Sequence, residues 1–381
     1  MTGHVVVIGG GATGLSTAWW LRRDGVAVTV VEKGIVGWEA SGRNGGGATH
    51  AVSPLFAEEQ RLWPMMDELL GYPTEYQRQR LRIGLGRRQL DLILEGVAVA
   101  RAQGFVAHEL DTKALRELVP FVAENAAGGV LMEYGGHANP QRTMQAYAWA
   151  LQDLGGMIQQ HTTVIGFEVR GGRISAVRTS QGILGCDAVV LAAGPHTAQL
   201  AAMLGVAVPM APARAEMIVT EPLPLIRVGG VDGNGVYGRQ TLRGNLAYGG
   251  GPHEWIDLPD ASTPRAVNSP VMQSVAKRVF EMFPKVAHAR VIRSWAGVIE
   301  NTPDGRPILD RLSAPDNLVL ATMSSVGFGL SPASGRALAQ LVTHGRCDFA
   351  DLSQLRLSRF DGLAADWQET MGWVPWSPVA A

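Results

Sequence analysis

Cysteine is scarce in this chain, with only Cys186 and Cys347 among 381 residues. Two thiols cannot build a disulfide framework or a cysteine-rich metal site, and they suit a reducing compartment. We read both as packing or surface thiols. An excess of charge is also missing: 33 Lys and Arg stand against 34 Asp and Glu, a net charge of -1. No basic surface for phosphate backbones or anionic lipids is expected, so nucleic acid is not an expected partner. No run of roughly 18 apolar residues occurs, which excludes an obvious transmembrane helix. No charged leader with a cleavable apolar segment precedes the first apolar strand, and the expected location is the cytoplasm. No His and carboxylate cluster has metal-ligand spacing, so the metal expectation is none, and no Ser-His-Asp arrangement is suggested.

Glycine and apolar residues are plentiful. With 46% hydrophobic residues and 47 glycines, the chain can bury a large core in two or three domains. The glycines are most informative at the start. His4 to Ile8 is an almost wholly apolar, β-branched run of the kind that forms a parallel strand buried on both faces. It runs into Gly9, Gly11 and Gly14, spaced as G-x-G-x-x-G, and then into a helix from Ala12 to Arg23. The first glycine permits the tight turn, the second lets the backbone approach a pyrophosphate, and the third lets helix and strand pack closely. Ala27 to Val31 is a second strand, ending at Glu32, 18 positions after Gly14, where a carboxylate can accept from ribose hydroxyls. An acid there argues against a 2'-phosphate and hence against NADP. This unit alone leaves NAD and FAD both open.

Other stretches carry their own physical signals. Ser41 to Gly47 is too glycine-rich for a helix or strand and is expected to be a loop whose amides can meet an anion or a flat ring. Asp187 to Leu191 reads as an apolar strand ending in the small residues Ala192, Ala193 and Gly194, against which a cofactor can rest. A helix is expected from Ala333 to Thr343, with Ser331 and Pro332 at its start and its positive end directed at what precedes it. Further helices are expected at Gln89 to Gln103 and Gln141 to Leu154, and strands at Leu81 to Leu85, Met157 to Gln160 and Thr163 to Val169. Short strand-like runs separated by Gly and Pro follow at Met217 to Thr220, Val236 to Gln240, Leu246 to Tyr248 and Val291 to Arg293. Trp367, Trp373 and Trp376 are read as packing residues.

Taken together, Ser41-Gly42-Arg43-Asn44-Gly45-Gly46, Val190-Leu191-Ala192-Ala193-Gly194, Trp295-Ala296-Gly297 and Thr302-Pro303-Asp304-Gly305-Arg306-Pro307 resemble the D-amino-acid oxidase-like family of FAD enzymes. That family includes glycine oxidases, sarcosine oxidases and the flavin subunits of opine and hydroxyproline dehydrogenases. The resemblance spans nearly the whole chain, and Gly327-Phe328-Gly329-Leu330-Ser331-Pro332 looks like the family's closing segment beside the flavin. It implies FAD, held noncovalently because Gly297 stands where monomeric sarcosine oxidases carry a tethering cysteine. The cofactor-binding residues it implies are Gly9, Gly11, Ala12, Thr13, Gly14, Glu32, Lys33, Ser41, Arg43, Asn44, Gly45, Gly46, Val164, Ala193, Gly194, Gly297, Val326, Gly327, Phe328, Gly329 and Leu330. The arginine that many amino-acid oxidases place before the Thr-Pro-Asp motif is missing, because that stretch reads Gly297-Val298-Ile299-Glu300-Asn301. A carboxylate clamp would have to come from elsewhere, with Arg239 and Arg214 as candidates. Ser324-Ser325-Val326-Gly327 likewise replaces a common Gly-His-Gly.

The expected fold class is α/β: a Rossmann-like FAD-binding domain of the glutathione-reductase kind, with a second α+β substrate domain on a largely antiparallel sheet. The expected division is 1-78, 140-210 and 295-381 for the FAD domain and 79-139 and 211-294 for the substrate domain. Tyr237 and Arg239 alternate onto one strand face, while Tyr248 and His253 flank Gly249-Gly250-Gly251-Pro252, and His50 follows the glycine loop. These five are the catalytic or substrate-contacting candidates. The expected reaction is oxidation of a C–N bond of a small amine or amino acid by hydride transfer to the flavin. A hydroxy-acid or alcohol dehydrogenase of the same fold, or a flavin subunit of an electron-transfer complex, is the alternative. The electron acceptor is oxygen or a redox partner, and the sequence allows a homo- or hetero-oligomer.

Overall fold

The computed structural model describes residues 3-258 and 267-373. Its first layer grows from β1 (His4–Ile8) and β2 (Ala27–Val31), joined by α1 (Ala12–Arg23). Alternation along β1 sends Val5 and Val7 into one apolar cluster and Val6 and Ile8 into another, so both faces are covered. The sheet runs Ile308–Arg311, Leu318–Thr322, Ala188–Leu191, β1, β2, Met157–Gln159 in space. All neighbours are parallel except the first pair, an antiparallel edge. One face carries α1 and the helices Pro140–Asp153 and Gly327–Thr343, and the other carries the three-stranded sheet of Val164–Arg170, Arg173–Thr179 and Gly182–Gly185. The fold class is therefore α/β with a dinucleotide-binding turn at its centre.

The second layer is a ten-stranded sheet, antiparallel except where Val231–Gly233 runs parallel to Gln77–Leu85. Its core pairs are Ala211–Pro222 with Val291–Asn301 and with Asn245–Gly250, and Asn245–Gly250 with Val236–Gln240. Helix Ser269–Met282 lays Val275, Val279 and Met282 against Ile218, Val236 and Tyr248 on one face of this sheet. The strand Val291–Asn301 crosses position 295, where the sequence suggests a change of unit. Gly47–Ala48, expected to be loop, is a two-residue strand pairing with His137 and Gly136, and Ala40–Gly42 is a short 3-10 turn. At the tail, Trp373 stacks on Trp255 at 4.4 Å and meets Trp367 edge-on at 5.6 Å. Trp376 lies outside the described residues.

The closing helix differs from expectation. It begins at Gly327 rather than Ala333 and runs through Pro332, so Ser331 and Pro332 are inside it and the positive end sits six residues earlier. The glycines there serve close approach. A side chain at Gly335 would stand 2.1 Å from Ser16 Oγ on α1, and one at Gly329 would stand 2.2 Å from the His50 ring. Trp20 Nε1 on α1 donates to the Pro332 carbonyl at 3.0 Å, and the two helices pack closely along their length. Packing thus overrides the low helix propensity of three glycines and a proline. Gly335→Val should cost about 1–3 kcal/mol through overpacking at this crossing. The check is the urea midpoint of the cofactor-free protein, and an unmoved midpoint would mean the helices do not meet there.

Candidate active site

The exits of β1, β2 and Ala188–Leu191 open onto one cavity of about 440 Å³. Gly9 turns the chain with a φ of 112°, a conformation available at little cost only to glycine. Gly11 then caps α1 with no side-chain hydrogen bond, and the first turn of α1 carries no acidic residue. Ala12 N–H donates to Ser41 Oγ at 2.9 Å, and the following first-turn amides have no intrahelical partner. A twelve-residue helix therefore turns its positive end to the cavity with no acidic residue in its own first turn. Glu32 fixes the next turn by accepting from Gly10 N at 2.8 Å and Gly34 N at 2.7 Å. Lys33 Nζ lies 2.7 Å from His196 Nε2 across the cavity's edge.

The cavity wall contains thirteen of the residues singled out from sequence: Gly9, Gly11, Ala12, Thr13, Glu32, Lys33, Ser41, Asn44, Val164, Ala193, Gly194, Gly327 and Phe328. The start of the closing helix meets that of α1 directly, since a side chain at Gly327 would stand 3.5 Å from Thr13 Oγ1. Gly14, Arg43, Gly45, Gly46, Gly297, Val326, Gly329 and Leu330 do not line the cavity. Several of them brace it. Arg43 donates through Nη1 to the Ala296 carbonyl at 2.8 Å, and Trp295 Nε1 donates to the Arg43 carbonyl at 2.8 Å, which ties the glycine loop to the large sheet. Asn44 closes the loop on itself, donating to the carbonyls of Ala40 and Ser41 and accepting from Gly46 N. A dinucleotide with a diphosphate and an extended ring fits this shape and charge. Sequence reasoning missed His196, Gln199, Glu39, Ile299, Glu300, Met323 and Ser325 on the wall. His196 lies two residues after the quoted Ala193-Gly194, and Ile299, Glu300 and Ser325 lie within quoted stretches, so these were findable by extending the motifs, whereas Gln199 is brought in by tertiary packing.

The catalytic candidates separate in space. Tyr237 and Arg239 share a face and sit behind the glycine loop: a side chain at Gly45 would stand 3.2 Å from the Tyr237 ring, and Arg239 Nη1 donates to the Gly45 carbonyl at 2.8 Å. Burial pushes the Tyr237 hydroxyl up to about 12, so it stays protonated and can donate. Burial lowers Arg239 to about 10, still charged at neutral pH. Among the described residues Arg239 has no carboxylate within ion-pair range, with Glu75 acting at longer reach. Arg80, equally buried, pairs with Asp232. Arg214 pairs with Glu216 and Glu254, and its side chain lies on the opposite sheet face from Tyr237, toward helix Ser269–Met282. His137, also missed from sequence, is buried beside Arg80 and Arg239 with Nδ1 unpartnered, and burial pushes it down to about 3, so it is neutral.

His50 and His253 stand apart from that pair. His50 donates or accepts through Nδ1 with buried Glu59 at 2.6 Å and packs on the closing helix at Gly329. His253 is part-buried with Nε2 unpartnered, between the strands Asn245–Gly250 and Glu254–Trp255, and burial lowers its pKa. Neither lines the cavity. Tyr248 corrects the sequence expectation. It pairs with Gly238 in the register, so it projects to the face opposite Tyr237 and Arg239 and lies edge-on to Phe283 at 6.0 Å. Its hydroxyl is buried without a partner. Tyr248→Phe should therefore leave stability unchanged or raise it by up to about 1 kcal/mol, because an unsatisfied hydroxyl is removed. Chemical denaturation with cofactor uptake measured in parallel checks this, and weakened uptake would return Tyr248 to the site.

Comparison with known proteins follows the geometry. The family model for FAD dependent oxidoreductases, DAO, matches residues 4–341. Sarcosine oxidase subunit beta of Rhizobium meliloti is 31% identical over 94% of this chain and 88% of its own length. Glycine oxidase of Pseudomonas putida is 27% identical over 90% of this chain and 95% of its own length. Among solved structures, glycine oxidase from Geobacillus kaustophilus superposes with a TM-score of 0.85 at 24% identity, covering 94% of this chain and 99% of that one, which supports the fold. Among the described residues no helix is long and apolar enough to cross a membrane. By the family-model match over residues 4–341, the chain belongs to the DAO family of FAD-dependent oxidoreductases.

Proposed function

We propose that this FAD-dependent oxidoreductase oxidises the C–N bond of a small D-amino, N-alkyl or cyclic amino acid to an imine, which water then hydrolyses. Relatives named sarcosine oxidase and glycine oxidase support the bond that is broken. The observation that carries the amino-acid reading is Arg239, a buried cation with a carbonyl but no carboxylate beside it, next to the Gly45–Gly46 turn. Arg214 and Arg80 already hold carboxylates, which leaves Arg239 as the better of the two candidate clamps for a substrate carboxylate. Bound FAD supplies the electrophile and takes up the hydride, so no protein nucleophile is needed.

The roles of the chain's own residues follow from their places. The amides of Gly11 and Thr13 would hold the diphosphate, Glu32 the ribose hydroxyls, and the Val164 backbone the adenine. The N-terminus of the closing helix at Gly327 and Phe328 would favour negative charge on the reduced ring. Tyr237, protonated, would donate to the substrate, and the large sheet would keep water from the reacting carbon. No cysteine lines the cavity among the described residues, which supports noncovalent FAD. Free, part-buried Cys186 and Cys347 support a cytoplasmic protein. The division into an FAD unit (1-78, 140-210, 295-381) and a substrate unit (79-139, 211-294) is part of the same proposal.

An anaerobic panel of amino acids, amines and hydroxy acids tests the reaction by bleaching of the flavin. Amino acids should bleach it, and bleaching by hydroxy acids alone would defeat the proposal. Arg239→Met should raise KM about 10- to 100-fold for the carboxylate-bearing substrate, with a far smaller change for an amine lacking the carboxylate. Equal losses on both would remove Arg239 as the clamp. Relatives named as subunits support a second reading, a flavin subunit of a larger complex. It predicts that oxygen fails to restore the bleached colour in the isolated chain.

A further inference from the structure

Glu300 is the carboxyl group for which neither the fold nor the proposed reaction gives a use. It lies on the strand Val291–Asn301 just before the Thr302-Pro303-Asp304 turn, is 7% exposed, and belongs to the wall of the FAD cavity. Its two oxygens differ. Oε1 accepts from Met323 N at 2.9 Å and from the Thr322 hydroxyl at 3.3 Å. Oε2 has no hydrogen bond from another residue among those described, and it lies 4.0 Å from where a side chain at Gly194, itself on the cavity wall, would begin.

The surroundings decide the charge of this group. Its neighbours on the wall are apolar or small, namely Ile299, Met323, Ala193 and Gly194. No Lys, Arg or His acts on it, and burial raises its pKa against the lowering effect of its hydrogen bonds. A carboxyl removed from water with no countercharge favours its neutral form. Oε1 accepts hydrogen bonds from Met323 and Thr322, which leaves Oε2, the oxygen nearer Gly194, as the place for a proton on this group. A neutral carboxylic acid is a strong hydrogen-bond donor, and a donor facing a dry wall needs an acceptor.

We propose that Glu300 is a cofactor-positioning residue that offers its Oε2 hydrogen to an acceptor oxygen or nitrogen of bound FAD, between the exit of Ala188–Leu191 and the start of the closing helix. The role rests on the FAD site described above, but it does not depend on the identity of the amine. In this place the neutral acid adds to the positive helix end, whereas a carboxylate would oppose charge on the reduced ring. Glutamine preserves a neutral donor of the same length. Leucine preserves the bulk and removes the donor.

The test measures FAD affinity and the visible spectrum of bound flavin for the full chain as wild type, Glu300→Gln and Glu300→Leu. Glu300→Gln should bind FAD within about threefold of wild type with an unchanged spectrum, and Glu300→Leu should bind about tenfold or more weakly with a shifted flavin band. Wild-type affinity and spectrum in Glu300→Leu would overturn the proposal. So would a Glu300→Gln variant as weak as Glu300→Leu, since that result calls for a carboxylate rather than a donor. If Glu300→Leu does not fold, infrared difference spectra of wild type against Glu300→Gln decide instead. A protonated carboxyl band that moves when FAD is added supports the role, and a carboxylate band or an unmoved one overturns it. A wild type that takes up no FAD would defeat the site itself and is distinguishable from every one of these results.

Discussion

Two helix N-termini meet at one cavity, and most of the site follows from holding them there. Like ends of helix dipoles repel, and of the first-turn amides of α1 Ala12 N–H is held by Ser41 Oγ while those after it have no intrahelical partner. The crossing of α1 and the closing helix holds them together through Gly335 against Ser16, with Gly327 beside Thr13 at the mouth. The resulting field is positive at two places along one cleft, which suits a ligand with a diphosphate at one point and a ring that becomes negative at another. An anionic cofactor thereby relieves a conflict built into the fold.

Charge in the second layer follows a similar logic of matched and unmatched groups. Arg80 is matched by Asp232, and Arg214 by Glu216 and Glu254. Each such pair is structural, because removing one member would leave the other charged and buried. Arg239 and Glu300 are two groups beside the site whose surroundings do not complete them, the first a cation without a carboxylate in ion-pair range and the second an acid with no cation acting on it. Arg239 sits behind the glycine loop, and Glu300 lies on the cavity wall beside Gly194. The pattern separates residues that hold the protein together from residues that await something brought to it.

Much of this was legible before any coordinates. The β1-α1-β2 unit with Glu32, the strand Val236–Gln240 and the pairing of Tyr237 with Arg239 on one face rest on local periodicity, which the chain obeys. The start of the closing helix was not legible, because Gly327, Gly329 and Pro332 each argue locally against a helix that only its contact with α1 secures. Tyr248 misled for a different reason. Sequence places it near the glycine run Gly249 to Gly251, but the register opposite Gly238 decides which face it takes, and register is a property of two strands. Glu300 was read as the place where an arginine is missing, and its own chemistry became visible only when Met323, Thr322 and Gly194 were seen around it.

The order of strands in the first sheet carries a consequence for biosynthesis. β1 emerges from the ribosome first, yet its neighbour Ala188–Leu191 comes far later, and the next strand, Leu318–Thr322, later still. Until Ala188–Leu191 is made β1 has an unfilled edge, and until Gly327–Thr343 is made one face of the sheet is only partly covered, a condition in which nascent chains associate wrongly. The cleft likewise lacks its second helix end until Gly327 has been synthesised. The cavity that would hold FAD is therefore completed only after most of the chain has been made.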